Sequence, residues 1–234
     1  MTTIVGADGC HSGWLCVFEE LPTRRLGSKM FKSIHDLFAA APELQLLAID
    51  IPIGLTDSGP RDCDRAARER LGPVRGTSVF PAPIRPALNA ATYPEACEAS
   101  LEAQQKKLSK QGWAIYPKIR ELDELLRSRP ELRERVHEVH PEVTFAEWNG
   151  EPIVEPKRKR PGFTARHALV TRHFGAEAYD RIRARYSKAD VADDDILDAF
   201  AALWTAERIH QGAAQSLPPQ PPLDSAGLAM RIVY

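Results

Sequence analysis

The run of residues 44–51 is the feature that most constrains how this chain can fold. Its sequence, Leu-Gln-Leu-Leu-Ala-Ile-Asp-Ile, is almost continuously apolar and is closed by Pro52. An apolar run of this kind is typical of a strand that is covered on both faces, as in a parallel or mixed sheet with helices on either side. The run therefore predicts an α/β architecture with this strand near the middle of the sheet.

Other short apolar runs predict the rest of a mixed five-stranded sheet flanked by helices. The further strands are expected at residues 3–7 and 14–18, which form a hairpin around Asp8-Gly9, and at 27–31 and 135–139, with a closing strand at 228–233. Helical spacing and capping residues predict helices from Ser33 to Pro42, at 63–71, at 95–128 with a break at Gly112, from Pro141 through Trp148, and at 163–174, 178–186 and 194–210.

We expect one domain over residues 1–234, with an irregular and helical insertion over about 54–132. Residues 54–93 are rich in Pro, Gly and Arg, and they contain a single convincing helical pattern. A long irregular stretch inside a compact domain is usually functional or disordered. The helices that follow are expected to complete a cap on the domain.

The bulk composition excludes few functions. With 43% hydrophobic and 27% charged residues and a net charge of −1, the chain has no global attraction for nucleic acid, so a polyanion requires a local basic patch or metal ions. Four cysteines without metal-ligand spacing indicate reduced thiols. The sequence shows no leader pattern and no apolar run near the roughly 20 residues that span a bilayer. We therefore expect a cytoplasmic protein with no membrane partner.

Four aspartates stand where an α/β fold displays carboxylates at one edge. Asp8 and Asp50 follow apolar strands, and the carboxyl ends of such strands often carry catalytic groups. Asp195 and Asp198 are three residues apart, on one face of the predicted last helix. Structural interpretations remain open: Asp8-Gly9 is also a turn signal, Asp50 can bond the turn at Pro52, and Asp195 can cap its helix.

Carboxylates that converge need a counter-charge, which paired Mg²⁺ or Mn²⁺ about 4 Å apart would supply. One ion would activate water and the other would stabilise the leaving oxygen of a phosphodiester. We therefore expect Asp8, Asp50, Asp195 and Asp198 to be metal ligands as well as catalytic residues.

Several other residues are candidates for the same chemistry. Glu142 follows a predicted strand and could act as a ligand or general base, although Pro141-Glu142 is equally typical of a helix start. The basic run from Lys157 to Arg160 could hold phosphate oxygens or could be a solvated loop. The expected substrate-binding residues are Arg85, Lys118, Lys157, Lys159 and Arg166.

The order of elements and several motifs resemble the ribonuclease-H-like fold and, within it, the family catalogued as domain of unknown function 429, which is described as predicted nucleases. The resemblance covers nearly the whole chain. It rests on Gly-Ala-Asp-Gly with Gly13-Trp14, Ala-Ile-Asp-Ile-Pro-Ile-Gly-Leu, Arg-Asp-Cys-Asp-Arg-Ala-Ala-Arg at 61–68, Ser78-Val79-Phe80 with Pro83 and Arg85, Pro117-Lys118-Ile119 with Glu121 and Asp123, Glu-Val-His-Pro-Glu at 138–142 with Phe145, and Asp194-Asp195-Ile-Leu-Asp198-Ala.

Within the superfamily, the layout of Asp8, Asp50, Asp195 and Asp198 is most similar to that of a Holliday-junction resolvase. Two departures stand out: Asp50 replaces the glutamate of the resolvases, and the chain lacks their basic character. The second departure argues against a DNA junction as the substrate.

The resulting hypothesis is a magnesium- or manganese-dependent phosphoester hydrolase, most simply a nuclease, whose partner is nucleic acid or another phosphoester. Two alternatives remain open. One is a nucleotide-binding phosphoryl-transfer protein of the actin-like kinase type, although the chain has no Gly-x-x-x-x-Gly-Lys segment. The other is a non-catalytic protein- or RNA-binding module on the same fold.

Overall fold

The computed structural model describes residues 2–234, apart from the side chain at position 111. The chain forms two compact units. The first comprises the described residues up to Asp50 together with 134–215 and 233–234, and the second comprises 51–133 and 216–232. The second unit therefore contains the whole of the segment that the sequence predicts as an insertion.

A five-stranded mixed sheet is the framework of the first unit. Its strands are β1 (Thr2–Cys10), β2 (Gly13–Leu21), β3 (Arg25–Phe31), β4 (Leu44–Ile49) and β5 (Val136–Glu138), in the order β3-β2-β1-β4-β5. The pairs β1/β2 and β2/β3 are antiparallel, whereas β1/β4 and β4/β5 are parallel. The α/β fold class expected from the sequence, a ribonuclease-H-like mixed sheet flanked by helices, is confirmed.

The described part of the chain contains nine α-helices and two further short strands. The helices are α1 (Ile34–Ala40), α2 (Asp62–Arg75), α3 (Arg85–Leu88), α4 (Tyr93–Gln104), α5 (Lys110–Ser128), α6 (Pro141–Asn149), α7 (Arg160–Phe174), α8 (Ala178–Arg183) and α9 (Asp193–His210). The short strands β6 (Ser216–Leu217) and β7 (Ile232–Val233) form a second sheet.

The middle of the first unit is the packing of α9 against β1. Leu47, Ala48 and Ile49 of β4 are fully buried, as the continuous apolar run predicts. On the neighbouring strand β1, a Cβ added to Gly6 would lie only 2.1 Å from the backbone nitrogen of Leu203. A glycine at this point therefore lets the backbone of α9 approach the sheet.

Three local predictions are wrong in their bounds. The first strand does not end at Asp8-Gly9: Asp8 pairs with Leu15 and Gly9 with Trp14, and the turn falls after Cys10. The helical break is not at Gly112, because Ser109 caps α5 by accepting a hydrogen bond from the Gly112 backbone at 2.9 Å. The closing strand is limited to Ile232–Val233.

The preceding residues do not continue that closing strand, because Asp224 accepts hydrogen bonds from the backbone of Ala226 and Leu228, both at 2.9 Å, and so folds the chain into a turn.

Two findings bear on the expected environment of the protein. All four cysteines are buried and free. Within residues 2–234, no helix has the length and apolarity that crossing a membrane requires.

Candidate functional site

Asp8 and Asp50 lie level with each other at the carboxyl edge of two adjacent parallel strands. Ala7 pairs with Ile49 in the β1/β4 ladder, and the backbone nitrogen of Asp50 donates to the carbonyl of Ala7 at 3.0 Å. The last bond extends the ladder by one residue beyond the end of β4. Sheet register alone therefore places the two aspartates side by side, with Asp8 buried and Asp50 partly exposed.

Helix α9 brings the other two aspartates to the same place. It packs against β1, and its residues around Asp198 are almost all buried, as is Asp198 itself at 1% exposure. Asp195 is partly exposed, and its Oδ2 accepts the backbone N–H of Ala192 at 2.8 Å. Asp195 thus caps the helix, as the structural interpretation of the sequence held, while Asp198 has no such local partner. We refer to Asp8, Asp50, Asp195 and Asp198 as the carboxylate cluster.

The electrostatics of the cluster show that its members interact. Burial and then the neighbouring carboxylates of Asp198, Asp50 and Asp195 raise the pKa of Asp8 well above its ordinary value. Burial and Asp198 raise the pKa of Asp50 to about 8. These shifts are what carboxyls crowded together away from water should show.

Asp198 and Asp195 are perturbed in the same direction. Burial raises the pKa of Asp198 to about 6, although Lys157 opposes the shift. Burial also raises the pKa of Asp195, while its bond from Ala192 opposes the rise.

Lys157 supplies a positive charge within this cluster. Its Nζ donates to Oδ2 of Asp198 and lies 3.7 Å from Oδ2 of Asp194. Burial alone would lower the pKa of Lys157, but the carboxylates of Asp198, Asp8 and Asp50 outweigh burial and raise it. Lys157, which the sequence predicts as a substrate contact, lies against the carboxylates in this structure.

The positions of the side chains and the chemistry of their oxygen atoms point in different directions on whether the cluster can hold a metal ion. Across the part of the chain that is described, no group of three or more His, Cys, Asp or Glu side chains is arranged to hold a metal ion. The donor chemistry nevertheless suits Mg²⁺ or Mn²⁺, which prefer carboxylate oxygens. In addition, Oδ1 of Asp198 is buried without a hydrogen-bond partner, which is uncommon for a carboxylate oxygen. The donor atoms therefore suit an oxygen-seeking cation, whereas their positions, with Lys157 bound to Asp198, do not form a ready ligand set.

Two glutamates lie close to the cluster. Glu142, at the start of α6, is buried, and its Oε2 accepts a hydrogen bond from Arg166 at 2.6 Å. Glu138, the last residue of β5, is also buried and was not among the predicted site residues. Both carboxylates raise the pKa of Asp50. Glu138 could have been predicted as a site residue, because it ends a strand, β5, that is parallel to β4.

Arg166 lies inside the first unit rather than at a substrate surface. It is fully buried, and besides Glu142 it donates to the carbonyl oxygens of Glu155 at 3.0 Å and Gly162 at 2.8 Å. The spacing of Arg166 relative to Leu169 and Val170 places it on the inward face of α7. The structure therefore gives Arg166 the role of fixing Glu142 and the chain that leads into α7.

A basic pocket of about 530 Å³ lies next to the carboxylate cluster in the first unit. Lys157 lines the pocket and also donates from Nζ to Asp198, so this side chain connects the pocket with the cluster. Phe163 adds an aromatic ring. The lining residues are Lys157, Arg158, Lys159, Arg160, Phe163, Lys188, Ala192, Asp193 and Asp194. We call this cavity the basic pocket.

The three consecutive acids at the start of α9 have different partners. Asp193 is paired with Arg183 at 3.2 Å and with Lys188 at 2.7 Å. Asp194 is paired with Arg158 at 3.1 Å, and Asp195 caps the helix. Only the last of the three belongs to the carboxylate cluster.

The two remaining predicted substrate contacts, Arg85 and Lys118, belong to the second unit. Arg85 is bound by two carboxylates there, Asp123 and Asp224. Lys118 lies on α5 and is partly exposed.

The strand order and the helices that flank the sheet are those of a ribonuclease-H-like fold. The chain belongs to the family described as protein of unknown function (DUF429), whose model matches residues 6–223. No curated protein and no solved structure matches the chain.

Proposed function

We propose that this protein is a divalent-metal-dependent phosphoester hydrolase, most simply a nuclease, and that the carboxylate cluster is its active site. The observation that carries the proposal is the convergence of Asp8, Asp50 and Asp198, which come from two strands and one helix: Asp198 and Asp50 raise the pKa of Asp8, and Asp198 raises that of Asp50. Such clusters are concentrated at functional sites, because a fold gains no stability from crowded carboxyls.

Mg²⁺ or Mn²⁺ held by Asp8, Asp50 and Asp198 would supply Lewis acidity and a more acidic bound water. Asp195 would contribute its second oxygen while Oδ2 keeps the cap on α9. Glu142 would add negative potential from its fixed position on Arg166, which leaves it poorly placed to exchange protons as a general base.

Lys157 has two positions in this proposal. In the described structure its Nζ neutralises Asp198. With a divalent cation bound at Asp198, the ammonium group of Lys157 would be free to turn into the basic pocket, which this residue already lines. There it would join Arg158 and Lys159 in contacting phosphate oxygens, which is how proteins position a nucleic-acid backbone.

The primary experiment is hydrolysis of single-stranded, duplex, hybrid and branched nucleic acids by the purified protein with Mg²⁺ or Mn²⁺. The Asp50→Asn variant should lose the activity. A matched control, Asp36→Asn, removes an exposed carboxyl from α1 and should retain the activity. Equal activity of the wild type and the Asp50→Asn variant, or an inactive wild type on every substrate, would refute the proposal.

A second measurement does not depend on the substrate. Mn²⁺ should raise the melting temperature of the wild type by binding the folded state. It should raise that of the Lys157→Met variant more, since no ammonium competes for Asp198. An ion-induced shift that is smaller in Lys157→Met than in the wild type would mean that the lysine does not occupy the metal position.

A non-catalytic module is the second candidate, and one observation favours it. Lys157 already offsets part of the cluster's charge, and no ready ligand group is present over the described residues. In that case the basic pocket would bind nucleic acid without cleaving it. Binding of labelled RNA or DNA that is weakened by Lys159→Gln, with no hydrolysis and no effect of Mn²⁺, would support this alternative.

A further inference from the structure

The second unit contains a pocket that plays no part in the proposed active site. It has a volume of about 420 Å³, within the range of small-molecule sites. Three guanidinium groups line it, those of Arg85, Arg127 and Arg133, together with Leu88, Asn89, Ser225 and Ala226. We call it the arginine pocket.

Arg85 is held rigidly in this pocket. It donates to both oxygens of Asp123, at 2.9 and 3.2 Å, and also to Asp224. Asp224 in turn accepts the backbone N–H of Leu55 at 2.9 Å, in addition to the turn that it organises. Burial would raise the pKa of Asp224, but these backbone bonds and Arg85 lower it, so the carboxylate stays charged. The wall that carries Arg85 is therefore preorganised.

The other two arginines, Arg127 and Arg133, make fewer hydrogen bonds and ion pairs than Arg85. Arg127 is about half exposed, at 51%, and lies 3.5 Å from Asp123. Arg133 donates from Nε to the carbonyl of Leu126 at 3.0 Å, and over residues 2–234 no carboxylate lies within ion-pair distance of it. Asp123 and Asp224 thus pair with Arg85 and Arg127 but not with Arg133, and the lining itself holds three guanidinium groups and no carboxylate.

We propose that the arginine pocket binds the phosphate group of a small phosphate monoester or of free phosphate. Guanidinium groups bind phosphate through paired N–H donors, and two of the three arginines have such donors to spare. Asn89 borders the same space, as does Ser225, whose hydroxyl donates to Asp57 at 2.9 Å. This site is independent of the proposed hydrolase activity, since its residues lie in the other unit.

The test is calorimetric titration of the full chain with inorganic phosphate and, separately, with adenosine 5′-monophosphate in chloride buffer. The Arg127→Gln/Arg133→Gln variant should weaken binding at least about tenfold, because it removes two charge-assisted contacts. A melting curve of each variant shows that it folds. Arg65→Gln, an exposed arginine on α2 of the same unit, controls for the loss of charge.

The basic pocket is the competing location for phosphate, so Lys159→Gln/Arg160→Gln is measured in parallel. Binding that survives this change but not the change at Arg127 and Arg133 supports the proposal. Tighter binding of the nucleotide than of phosphate would identify the ligand as a monoester, and equal binding would identify free phosphate. An absence of binding, or binding lost only in Lys159→Gln/Arg160→Gln, would overturn the proposal.

Discussion

The backbone nitrogen of Leu203 on α9 lies 2.1 Å from the point where a side chain on Gly6 of β1 would begin. The carbonyl of Ala199 is similarly close to that point, at 2.4 Å. Both contacts are with helix backbone, which cannot turn aside as a side chain can. Gly6 therefore sets the distance between the strand that carries Asp8 and the helix that carries Asp198.

Replacing Gly6 with alanine should destabilise the fold by about 3 kcal/mol or more, because α9 must move outward to accept the methyl group. The matched control is Gly112→Ala, where the added Cβ meets only Oγ of Ser109 at 3.2 Å. Inside α5 that change should alter stability by less than about 1 kcal/mol. Urea denaturation of both variants measures the difference, and similar free energies of unfolding would show that the close approach is not limiting.

Removing the charge of Lys157 should destabilise the protein in a pH-dependent way. The pKa of Asp198 is about 6, so at pH 5 most of its carboxyl is protonated and needs little compensation. At pH 8 the carboxylate is buried and charged, and loss of its partner should cost about 1–3 kcal/mol, allowing for the partial exposure of Lys157. Denaturation of Lys157→Met at the two pH values, beside Lys159→Met as control, tests this. A loss of stability that is equal at both pH values would contradict it.

Asp50 should make the metal-free protein less stable as pH rises. Its folded pKa is about 8 against an ordinary 3.8, so between these values the folded chain holds a proton that the unfolded chain has released. The stability contributed by this proton is complete below about pH 4 and is lost as pH rises through about 8. Asp50→Asn cannot titrate, so with a chelator present it should exceed the wild type at pH 8 by on the order of 1–2 kcal/mol.

Melting temperatures recorded from pH 5 to pH 8.5 would reveal the effect as a flatter profile for Asp50→Asn. A parallel profile for the two proteins would mean that Asp50 titrates normally in the folded state.

Glu19, like Asp50, should make the protein less stable as pH rises. It is 1% exposed on β2, and burial and the neighbouring Glu207 raise its pKa to about 7 from 4.5. Arg24 opposes the shift from 2.9 Å, and His173 lies 2.5 Å from Glu207 on the other side. Stability from the Glu19 proton is complete below about pH 4.5 and is lost as pH rises through about 7.

Glu19→Gln should therefore melt above the wild type at pH 8 and close to it at pH 4.5, whereas Glu20→Gln, which is more exposed, should leave the profile unchanged. Proton nuclear magnetic resonance of the Glu19 side chain gives the pKa directly. A value near 4.5 would remove the basis for this prediction.

The sequence predicted most of the sheet because its signals are local. The apolar runs of β1 and β4 predict that Asp8 and Asp50 each follow a buried strand. The parallel pairing of β1 with β4, which sets the two side by side, is a long-range contact that the structure supplies. Asp198 could be anticipated for a similar reason, since helical spacing separates it from the capping acids. The errors at Gly9 and Gly112 have one cause: glycine favours a break in a strand or helix, whereas the strand ladder and the Ser109 cap override that preference.

Contacts between side chains that are far apart in the chain could not be predicted from the sequence. Lys157 is 41 positions from Asp198, and nothing local distinguishes it from Lys159, which lines the basic pocket. The partnership of Arg166 with Glu142 likewise depends on how α6 and α7 pack. The helical spacing of α7 could have predicted that Arg166 is buried, but not that Glu142 is its partner.

The run of three aspartates at the start of α9 has a consequence for how a nucleic acid would meet this protein. A stretch of three acids suggests a surface that repels phosphates. Two of the three are matched on their outer side by Arg158, Arg183 and Lys188, and the third turns inward to its own helix. An approaching polyanion would therefore meet paired positive and negative side chains at the start of α9, rather than a row of uncompensated acids.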